Sequence, residues 1–302
     1  MSVSKKIKYA AVGLGSAIAL LAVWGLIEPS FLNTEEETAT IPNLPADWEG
    51  KQIVQISDFQ IGMWADNPDT ARRSVEQAID AKPAAVLISG DFLYHPGSDP
   101  TEEIETVISI VQPLVDAGIP TYAVLGNHDY GMSSKTATPR EQLASTLTAE
   151  LEATGIAVLQ NESTQMQLPE GGETLHLVAV GSHWANRDDA DAALADIPES
   201  SPRVVLMHNP DSFKRFPSNT APLAVSGHTH GGQMRLPNSP QWSWLKFTQG
   251  DEVTTDGWIK DYGQPGNNLY VNVGIGMSIV PMRIFCPPEM TLFTLENGES
   301  ET

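Results

Sequence analysis

The sequence predicts an α/β fold with two sheets, preceded by a membrane-spanning helix. Helical and strand-like segments alternate from residue 52 to residue 159, which is typical of α/β architecture. Strand-like segments dominate after residue 155, and they are too many for one layer of helices to cover, which indicates a second sheet. A long uncharged run close to the N-terminus predicts the membrane helix.

The N-terminal run is uncharged from Tyr9 to Ile27, close to the ~20 residues that cross a bilayer core. A cleaved signal peptide is the alternative, but the small-x-small triplet at residues 17–19 is followed by further apolar residues, which favours an uncleaved anchor. Lysines precede the run and acidic residues follow it. By the positive-inside bias, we expect a single-pass membrane protein with its N-terminus in the cytoplasm and the folded domain outside.

The rest of the chain divides by composition. Residues 1–29 form the predicted anchor, and residues 30–50 are acidic and lack apolar periodicity, which indicates a flexible tether. Residues 51–297 are predicted to form one domain, and residues 298–302 a tail.

Within the domain, helices are predicted where apolar residues recur at helical spacing. Asn67 and Pro68 offer an N-cap and first residue for one helix, Asp99-Pro100 opens a second that stops at Gly118, and a third covers 140–154. Short apolar runs predict the strands, at residues 52–57, 84–89, 121–125, 156–159, 175–180, 204–207, 223–226, 269–273 and 290–295.

Charge and cysteine content narrow the possible functions. The formal net charge of −21 argues against a nucleic-acid partner, because polyanions are attracted by lysine and arginine. The same charge would repel a phosphate substrate, so a phosphate-cleaving site would need local positive charge, which metal ions supply. Cys286 is the only cysteine, which excludes an internal disulfide.

Potential metal ligands follow the predicted strands. Because open α/β sheets place their sites at the carboxyl ends of strands, these residues should converge in space. They are Asp58, Asp91, Asn127, His128, His208, His228 and His230. Imidazole, carboxylate and amide oxygen suit divalent ions such as zinc, manganese or iron. The set is too large for one ion, and two ions sharing a carboxylate can activate a water and clamp a phosphoester in an in-line displacement.

A purely structural role is the alternative for any one of these residues, since an Asp after a strand is often a turn or helix cap. It fits the segment Gly227-His228-Thr229-His230 poorly. Two histidines one residue apart point the same way on an extended chain, and flanking glycines let the backbone approach a ligand. This segment therefore predicts metal binding.

Five motifs, in order, resemble those of the calcineurin-like metallophosphoesterase family. They are Ser57-Asp58-Phe59-Gln60, Gly90-Asp91, Gly126-Asn127-His128-Asp129, Met207-His208-Asn209-Pro210 and Gly227-His228-Thr229-His230. The C-terminal segment 281–289 is similar to the membrane-anchored branch that includes UDP-diacylglucosamine hydrolases. The resemblance implies a four-layer α/β/β/α sandwich.

The resemblance also implies roles for the motif residues. One of two divalent ions (manganese, zinc, iron or magnesium) would be held by Asp58, Asp91 and His230. The other would be held by Asp91, Asn127, His208 and His228. His128 would face the phosphate and stabilise the transition state or protonate the leaving oxygen, and Asp129 would orient its ring.

The sequence departs from the family pattern at Gln60, where the family usually has histidine. A carboxamide oxygen is a harder and weaker donor than imidazole, so metal affinity or preference at the first site should change. Gln60 is alternatively a hydrogen-bond partner of a metal-bound water. His95, four residues after Asp91, is a candidate replacement for the missing imidazole or a substrate contact, with a surface position as the alternative.

Weaker candidates for substrate contacts lie outside the motifs. His183 follows a strand end and is predicted either to line the cleft or to pack in the fold, and Arg235, Arg283 and Lys246 are basic candidates. An irregular stretch, residues 237–268, carries several aromatic residues. It is expected to pack beneath a long loop or, alternatively, to form an apolar lip that touches a lipid tail or the bilayer.

These observations predict a metal-dependent hydrolase of a phosphodiester or pyrophosphate bond, acting at the membrane on a phosphoester substrate that is lipid-linked or a nucleotide sugar. A catalytically silent binding module is the alternative that Gln60 raises. A phosphomonoesterase would use the same metals and differ only in the walls of its cleft.

Overall fold

The computed structural model describes residues 3–168, 171–237, 239–249, 255–259 and 262–298. The helices are α1 (Val3–Ile27), α2 (Pro68–Ala81), α3 (Thr101–Asp116), α4 (Glu141–Thr154), α5 (Ala190–Leu194) and α6 (Trp244–Gln249). The strands up to residue 179 are β1 (Asn33–Pro42), β2 (Gln52–Ile56), β3 (Ala85–Ile88), β4 (Thr121–Ala123), β5 (Ala157–Val158), β6 (Glu162–Met166) and β7 (Leu175–Ala179). The later strands are β8 (Arg203–Leu206), β9 (Ala224–Ser226), β10 (Arg235–Leu236), β11 (Ser239–Ser243), β12 (Gly257–Ile259), β13 (Leu269–Val271) and β14 (Glu289–Gly298).

The strands form two six-stranded sheets and a separate hairpin of β10 and β11. The first sheet has the order β1-β14-β2-β3-β4-β5, with β2 to β5 mutually parallel and β14 antiparallel to β2. The second has the order β12-β13-β9-β8-β7-β6, and its central strands β13, β9, β8 and β7 are parallel. Parallel strands joined by helices explain the alternation seen in the sequence.

The sheets pack face to face and each is covered on its outer side. The core between the sheets includes Ile53, Leu87 and Phe293 from the first sheet and Leu206 and Val225 from the second. A second core joins the first sheet to α2, α3 and α4, and a third joins the second sheet to α5 and to the short helix Pro210–Arg215. This four-layer arrangement confirms the predicted α/β/β/α sandwich.

The prediction of a flexible tether is wrong for residues 33–42. These residues form β1, which pairs in parallel with β14 over its whole length, from Asn33 beside Glu289 to Pro42 beside Gly298. Ala39 and Ile41 are buried while the acidic side chains of the strand stay at least partly exposed. An edge strand buries only part of one face, so its composition resembles that of a linker. Trp48 is also fully buried and donates a hydrogen bond to the Glu173 carbonyl, 3.0 Å away.

Helix α1 is long and apolar enough to cross a membrane, by length and composition. Its C-terminal end is attached to the domain. The buried Glu28 carboxylate accepts hydrogen bonds from the backbone N–H groups of Phe285 and Cys286, and the Arg283 N–H donates to the Gly25 carbonyl at 2.9 Å. Asn67 is the N-cap residue of α2, as predicted, but its side-chain amide donates to the carbonyls of Pro29 and Ile275 and does not cap the helix.

The predicted tail beyond residue 298 lies outside the described residues. Strands β1, β6 and β12 and the hairpin β10–β11 had no strand-like signal in the sequence, because they are short, polar or at sheet edges.

Glu289 on β14 generates a stability prediction. Its buried Oε1 accepts hydrogen bonds from Tyr270, Asn272 and Thr291, and burial raises the pKa of Glu289 from 4.5 to about 8. The folded state therefore favours the neutral acid, so this contribution to stability is complete below pH 4.5 and is lost as pH rises to 8. The Glu289→Gln variant is neutral at this position at every pH, so it should escape this loss. We expect the difference in free energy of unfolding between variant and wild type to favour the variant by on the order of 2 kcal/mol more at pH 8 than at pH 5.

Urea unfolding at the two pH values measures this difference. Glu296→Gln is the matched control, because Glu296 is exposed on the same strand and its replacement should have the same small effect at both pH values. Equal effects of Glu289→Gln at pH 5 and pH 8 would contradict the prediction.

Candidate metal centre

The motif residues lie at one edge of the sandwich, just after the strands that precede them. Asp58 and Gln60 follow β2, Asp91 follows β3, and Asn127 with His128 follows β4, so three neighbouring strands of the first sheet deliver them. His208 follows β8, and His228 with His230 follows β9, which are neighbours in the second sheet. The predicted convergence at the carboxyl ends of the strands is therefore observed.

Two clusters of ligand atoms share one carboxylate. Asp58, Asp91 and His230 form the first cluster, and Asp91, His208 and His228 form the second, with the ligand atoms of each within 4.8 Å of one another. Asn127 belongs beside the second cluster, because its Oδ1 lies 3.2 Å from His208 Nε2 while its amide donates to the Met132 carbonyl. With Gln60 set aside, these are the six residues that the sequence motifs implied as metal ligands.

Gln60 reaches the first cluster. Its amide nitrogen lies 2.9 Å from Asp91 Oδ2 and 3.2 Å from His230 Nε2. Its Oε1 and the Nδ1 of His230 are buried and have no hydrogen-bond partner among the residues that the structure describes. Buried polar atoms normally have partners, and carboxylate, amide and imidazole donors suit a divalent ion, so the residues present fit a pair of cations.

Several residues of the two clusters have a strained backbone conformation. Asp58, Gln60, Asp91, His228 and His230 all have positive φ, between 50° and 73°, a conformation that side-chain-bearing residues seldom adopt. A Cβ at Gly126 would collide with the Asp91 carboxylate, and one at Gly227 with Ser57 and Asp58. The glycines of the motifs therefore let neighbouring loops close around the carboxylates.

The charges of Asp91 and His208 in the second cluster stabilise each other. Burial disfavours a charged His208, but the adjacent Asp91 carboxylate outweighs it and raises the pKa of His208 to about 9. Burial by itself would raise the pKa of Asp91, yet the neighbouring His208 and His128 hold the pKa of that carboxyl well below its usual range. Asp91 is therefore an anion at neutral pH. In the first cluster, burial raises the pKa of Asp58 to about 6.

His128 is held by the backbone of a neighbouring loop. Its Nδ1 lies 3.0 Å from the Tyr94 carbonyl, which can only accept, so Nδ1 carries a proton. The ring stacks on Tyr94 at 5.0 Å, and the His128 N–H donates to Asp91 Oδ1 at 2.8 Å. These contacts leave Nε2 as the ring atom available to a ligand in the cleft that His128 lines.

The predicted role of Asp129 is wrong in detail. Its carboxylate accepts hydrogen bonds from the backbone N–H groups of Asp91, Leu93 and Gly126, at 2.9, 3.0 and 2.8 Å. The Tyr94 carbonyl, and not Asp129, orients the His128 ring. Asp129 instead joins the loop of Asp91 to the loop of Asn127, which positions ligands of both clusters.

The weaker candidates separate into two groups. His95 lines the cleft, with its ring 4.5 Å from that of His128, and burial together with His128 lowers the pKa of His95 to about 4. It contacts His128, whereas Gln60 occupies the place beside Asp91 and His230. Lys246 lies in α6 next to the cleft-lining Leu245.

The remaining candidates have other partners. His183 pairs with Asp188 at 2.8 Å and does not line the cleft as the structure describes it, and Arg235 pairs with Asp256. Arg283 is wrong as a substrate contact, because it is fully buried and donates to the carbonyls of Val273, Gly274, Gly276 and Cys286.

The cleft encloses about 350 Å³, and several of the residues that line it were not predicted from the sequence. They are Tyr94, Lys135, Trp184 and Ile279, while Trp244 belongs to the aromatic stretch 237–268 for which an apolar lip was one predicted use. Lys135 follows the Gly-Asn-His-Asp motif by a few residues, which was the available signal. It brings a cation to the cleft of an acidic protein, 5.8 Å from the Trp184 ring.

Comparison with known proteins agrees with this geometry. The sequence pattern described as calcineurin-like phosphoesterase matches residues 51–232. The chain belongs to the calcineurin-like phosphoesterase family. It is therefore a metallophosphoesterase, an enzyme class that uses a dinuclear metal centre, and its two overlapping clusters fit that centre.

Its relatives are distant but cover most of its length. It is 26% identical to an uncharacterized metallophosphoesterase, YkuE, of Bacillus subtilis over 90% of this chain and 88% of that protein. It is 29% identical to the phosphodiesterase YaeI of Escherichia coli over 74% of each. It is 25% identical to the UDP-2,3-diacylglucosamine pyrophosphatase LpxG of Chlamydia trachomatis over 92% of this chain and 93% of that protein.

The shared carboxylate generates a prediction about metal content. Asp91→Asn should weaken both sites, because Asp91 is the one residue common to both clusters, whereas Asp58→Asn should weaken only the first. After chelation and reloading, we expect about two metal equivalents in the wild type, about one in Asp58→Asn and well under one in Asp91→Asn.

Elemental analysis of the folded proteins after gel filtration measures these values. The two variants are matched, since each converts one buried aspartate of the centre to its amide. Equal metal loss in both would contradict the assignment of Asp91 to both clusters and of Asp58 to one.

Proposed function

We propose that this metallophosphoesterase hydrolyses a phosphodiester or pyrophosphate bond of a lipid-linked substrate at the membrane surface, with UDP-2,3-diacylglucosamine as the leading candidate. The observation that carries the hydrolase proposal is the Asp91 carboxylate shared by two ligand clusters. The backbone N–H of His128 donates to this carboxylate, and the His128 ring lines the same cleft. The similarity to LpxG over more than nine tenths of both chains supports the lipid-linked substrate.

The proposed ligand sets follow the clusters. Asp58, Asp91, His230 and the Gln60 carboxamide hold the first cation, and Asp91, Asn127, His208 and His228 hold the second. When bound, the two cations would supply Lewis acidity toward the phosphoryl group and lower the pKa of a water. Gly126 and Gly227 keep the loops close enough for the ligands to converge, and Asp129 holds two of those loops together.

His128 is the proposed acid or charge stabiliser. With its Nδ1 proton directed at the Tyr94 carbonyl, Nε2 can take up a proton and donate it toward a phosphoryl or leaving oxygen. Burial lowers the pKa of His128, so the ring is neutral in the free protein at neutral pH. The negative charge of a bound phosphate would favour the protonated ring.

Lys135 is the proposed contact for the part of the substrate beyond the reacting phosphate. It lines the cleft beside Trp184 and Asp211, and a nucleotide or diphosphate group would offer it negative charge. A phosphomonoester would lack that second group. The membrane localisation is part of the same proposal: α1 spans the bilayer, the N-terminus is cytoplasmic and the catalytic domain lies outside.

Hydrolysis of a bis-aryl phosphate tests the activity. The full chain in detergent, stripped by chelator and reloaded with manganese, zinc, iron or magnesium, should recover turnover with at least one metal. His128→Gln should lower kcat by about 10²–10⁴-fold while the bound metal stays unchanged. An aryl phosphate monoester is the matched substrate, and faster turnover of the monoester would favour a phosphomonoesterase.

Absence of turnover with every metal, in folded and metal-loaded protein, would overturn the hydrolase and favour the binding module. Loss of metal in His128→Gln would instead contradict the role given to that ring.

Gln60 generates a separate prediction. Because Gln60 contacts both Asp91 and His230, we expect Gln60→His to raise zinc affinity and to lower turnover with the preferred metal by roughly 10-fold. Chelator competition measures the affinity and bis-aryl phosphate the turnover. Gln60→Asn is the control that keeps the amide and shortens the side chain. A large gain of activity in Gln60→His from a near-zero baseline would show that the natural site has decayed.

A further inference from the structure

The end of α1 is held at the edge of the domain that carries the metal centre. The side-chain amide of Asn67 donates to two carbonyls at 3.1 Å each, that of Pro29, which lies just after α1, and that of Ile275. The Ile275 N–H in turn donates to Ser57, the residue before Asp58, at 2.9 Å. Thr70 also donates to the Pro29 carbonyl, and Arg73 to that of Ser30. A helix fixed in this way sets the orientation of the cleft relative to the bilayer that the helix enters.

An apolar surface begins where α1 ends. Trp24 and Phe31 stack with ring centroids 5.7 Å apart, and a groove of about 320 Å³ separates them from Phe285 and Pro237. Phe31 is 51% exposed and Phe285 is 40% exposed. This surface is therefore accessible beside the anchor.

The surface continues along the hairpin β10–β11 and α6. Leu236 is 58% exposed, Trp242 53% and Phe247 72%, and the rings of Trp242 and Phe247 lie 6.1 Å apart. The Arg235 N–H donates to the Ile284 carbonyl at 3.0 Å, which joins the hairpin to the segment that holds the end of α1.

The same segment reaches the cleft. The Trp244 N–H donates to Met234 at 2.8 Å, and Trp244 and Leu245 at the start of α6 line the cleft beside His230. The apolar surface therefore runs from the anchor to the mouth of the metal centre.

The charge pattern of the chain sets this surface apart. Residues 212–250 and 263–288 contain no aspartate or glutamate, although the chain has 38 acidic residues and a net charge of −21. An acidic protein surface is disfavoured against lipid headgroups that are anionic, and aromatic side chains favour the bilayer interface. The exposed side chains of Leu236, Trp242, Phe247 and Phe285 lie within these two segments, whereas Phe31 lies outside them.

We propose that Phe31, Leu236, Trp242, Phe247 and Phe285 form a docking surface for the interfacial region of the bilayer that holds α1. The docked domain places the mouth of the cleft at the level of the lipid headgroups, where a phosphate next to an acyl chain can reach the metal centre. The inference rests on the proposed insertion of α1 and is independent of which phosphoester bond is cleaved. A bilayer is favoured over a protein partner because the fixed end of α1 brings this surface to the membrane without further binding.

Site-specific quenching of the full chain in vesicles of phosphatidylcholine and phosphatidylglycerol tests the docking. Phe247→Cys carries a fluorescent label, and Ala117→Cys, exposed after α3 at the opposite edge of the first sheet, is the matched control. The native Cys286 is fully buried and protected from labelling. We expect a nitroxide on the lipid to quench the label at 247 at least 3-fold more than the label at 117, and aqueous iodide to show the opposite order. Trp242→Cys gives a second position should Phe247→Cys fail to fold.

Three other results would overturn the docking, and each has a different cause. A floating protein whose label at 247 is quenched by iodide as strongly as that at 117 overturns the docking and leaves the anchor standing. A label at 247 shielded from both quenchers indicates a protein partner or a second copy and also overturns it. Failure of the full chain to float with the vesicles overturns anchor and docking together. Hydrolysis of bis-aryl phosphate, measured on the same samples, reports separately on the proposed activity.

Discussion

The structure depends on how one buried carboxylate, Asp91, is compensated. A buried anion is costly unless it is paired and hydrogen-bonded. Asp91 pairs with His208 at 3.2 Å and accepts hydrogen bonds from the Gln60 amide and the His128 N–H. Its position between two ligand clusters requires five loops from two sheets to approach one point, and the strained backbone and the glycines of the motifs follow from that requirement.

The support of the metal centre is shared with the attachment of α1. The backbone at Ile275 and Gly276 donates to Ser57 and Asp58, and the buried Arg283 holds the carbonyls of Val273, Gly274 and Gly276 in place. The segment from Arg283 to Cys286 then binds the end of α1 through Gly25 and Glu28. One continuous stretch of chain therefore supports the first ligand cluster and fixes the end of α1 to the domain.

Local chemistry explains which parts of the site could be predicted. Each ligand is a metal-binding type placed just after an apolar strand, so its convergence with the others followed from the α/β pattern. The role of Asp129 could not be predicted, because its three backbone partners come from loops that meet only in the folded chain. Arg283 has the sequence character of a surface cation, and only the surrounding carbonyls show that it is buried. Strand β1 was not predicted for a related reason, since the sequence of an edge strand contains few apolar residues.

The sequence by itself determined the class of fold, the presence of a long apolar helix near the N-terminus and the residues that meet in the two ligand clusters, because periodicity and residue chemistry are local properties. Tertiary structure decided the rest. It placed Gln60 against Asp91 and His230, assigned the orientation of His128 to the Tyr94 carbonyl, and separated Trp258, which packs on Phe293, from the exposed Trp242 and Phe247. These outcomes depend on contacts between residues far apart in the chain, and no local pattern encodes which distant group a side chain will meet.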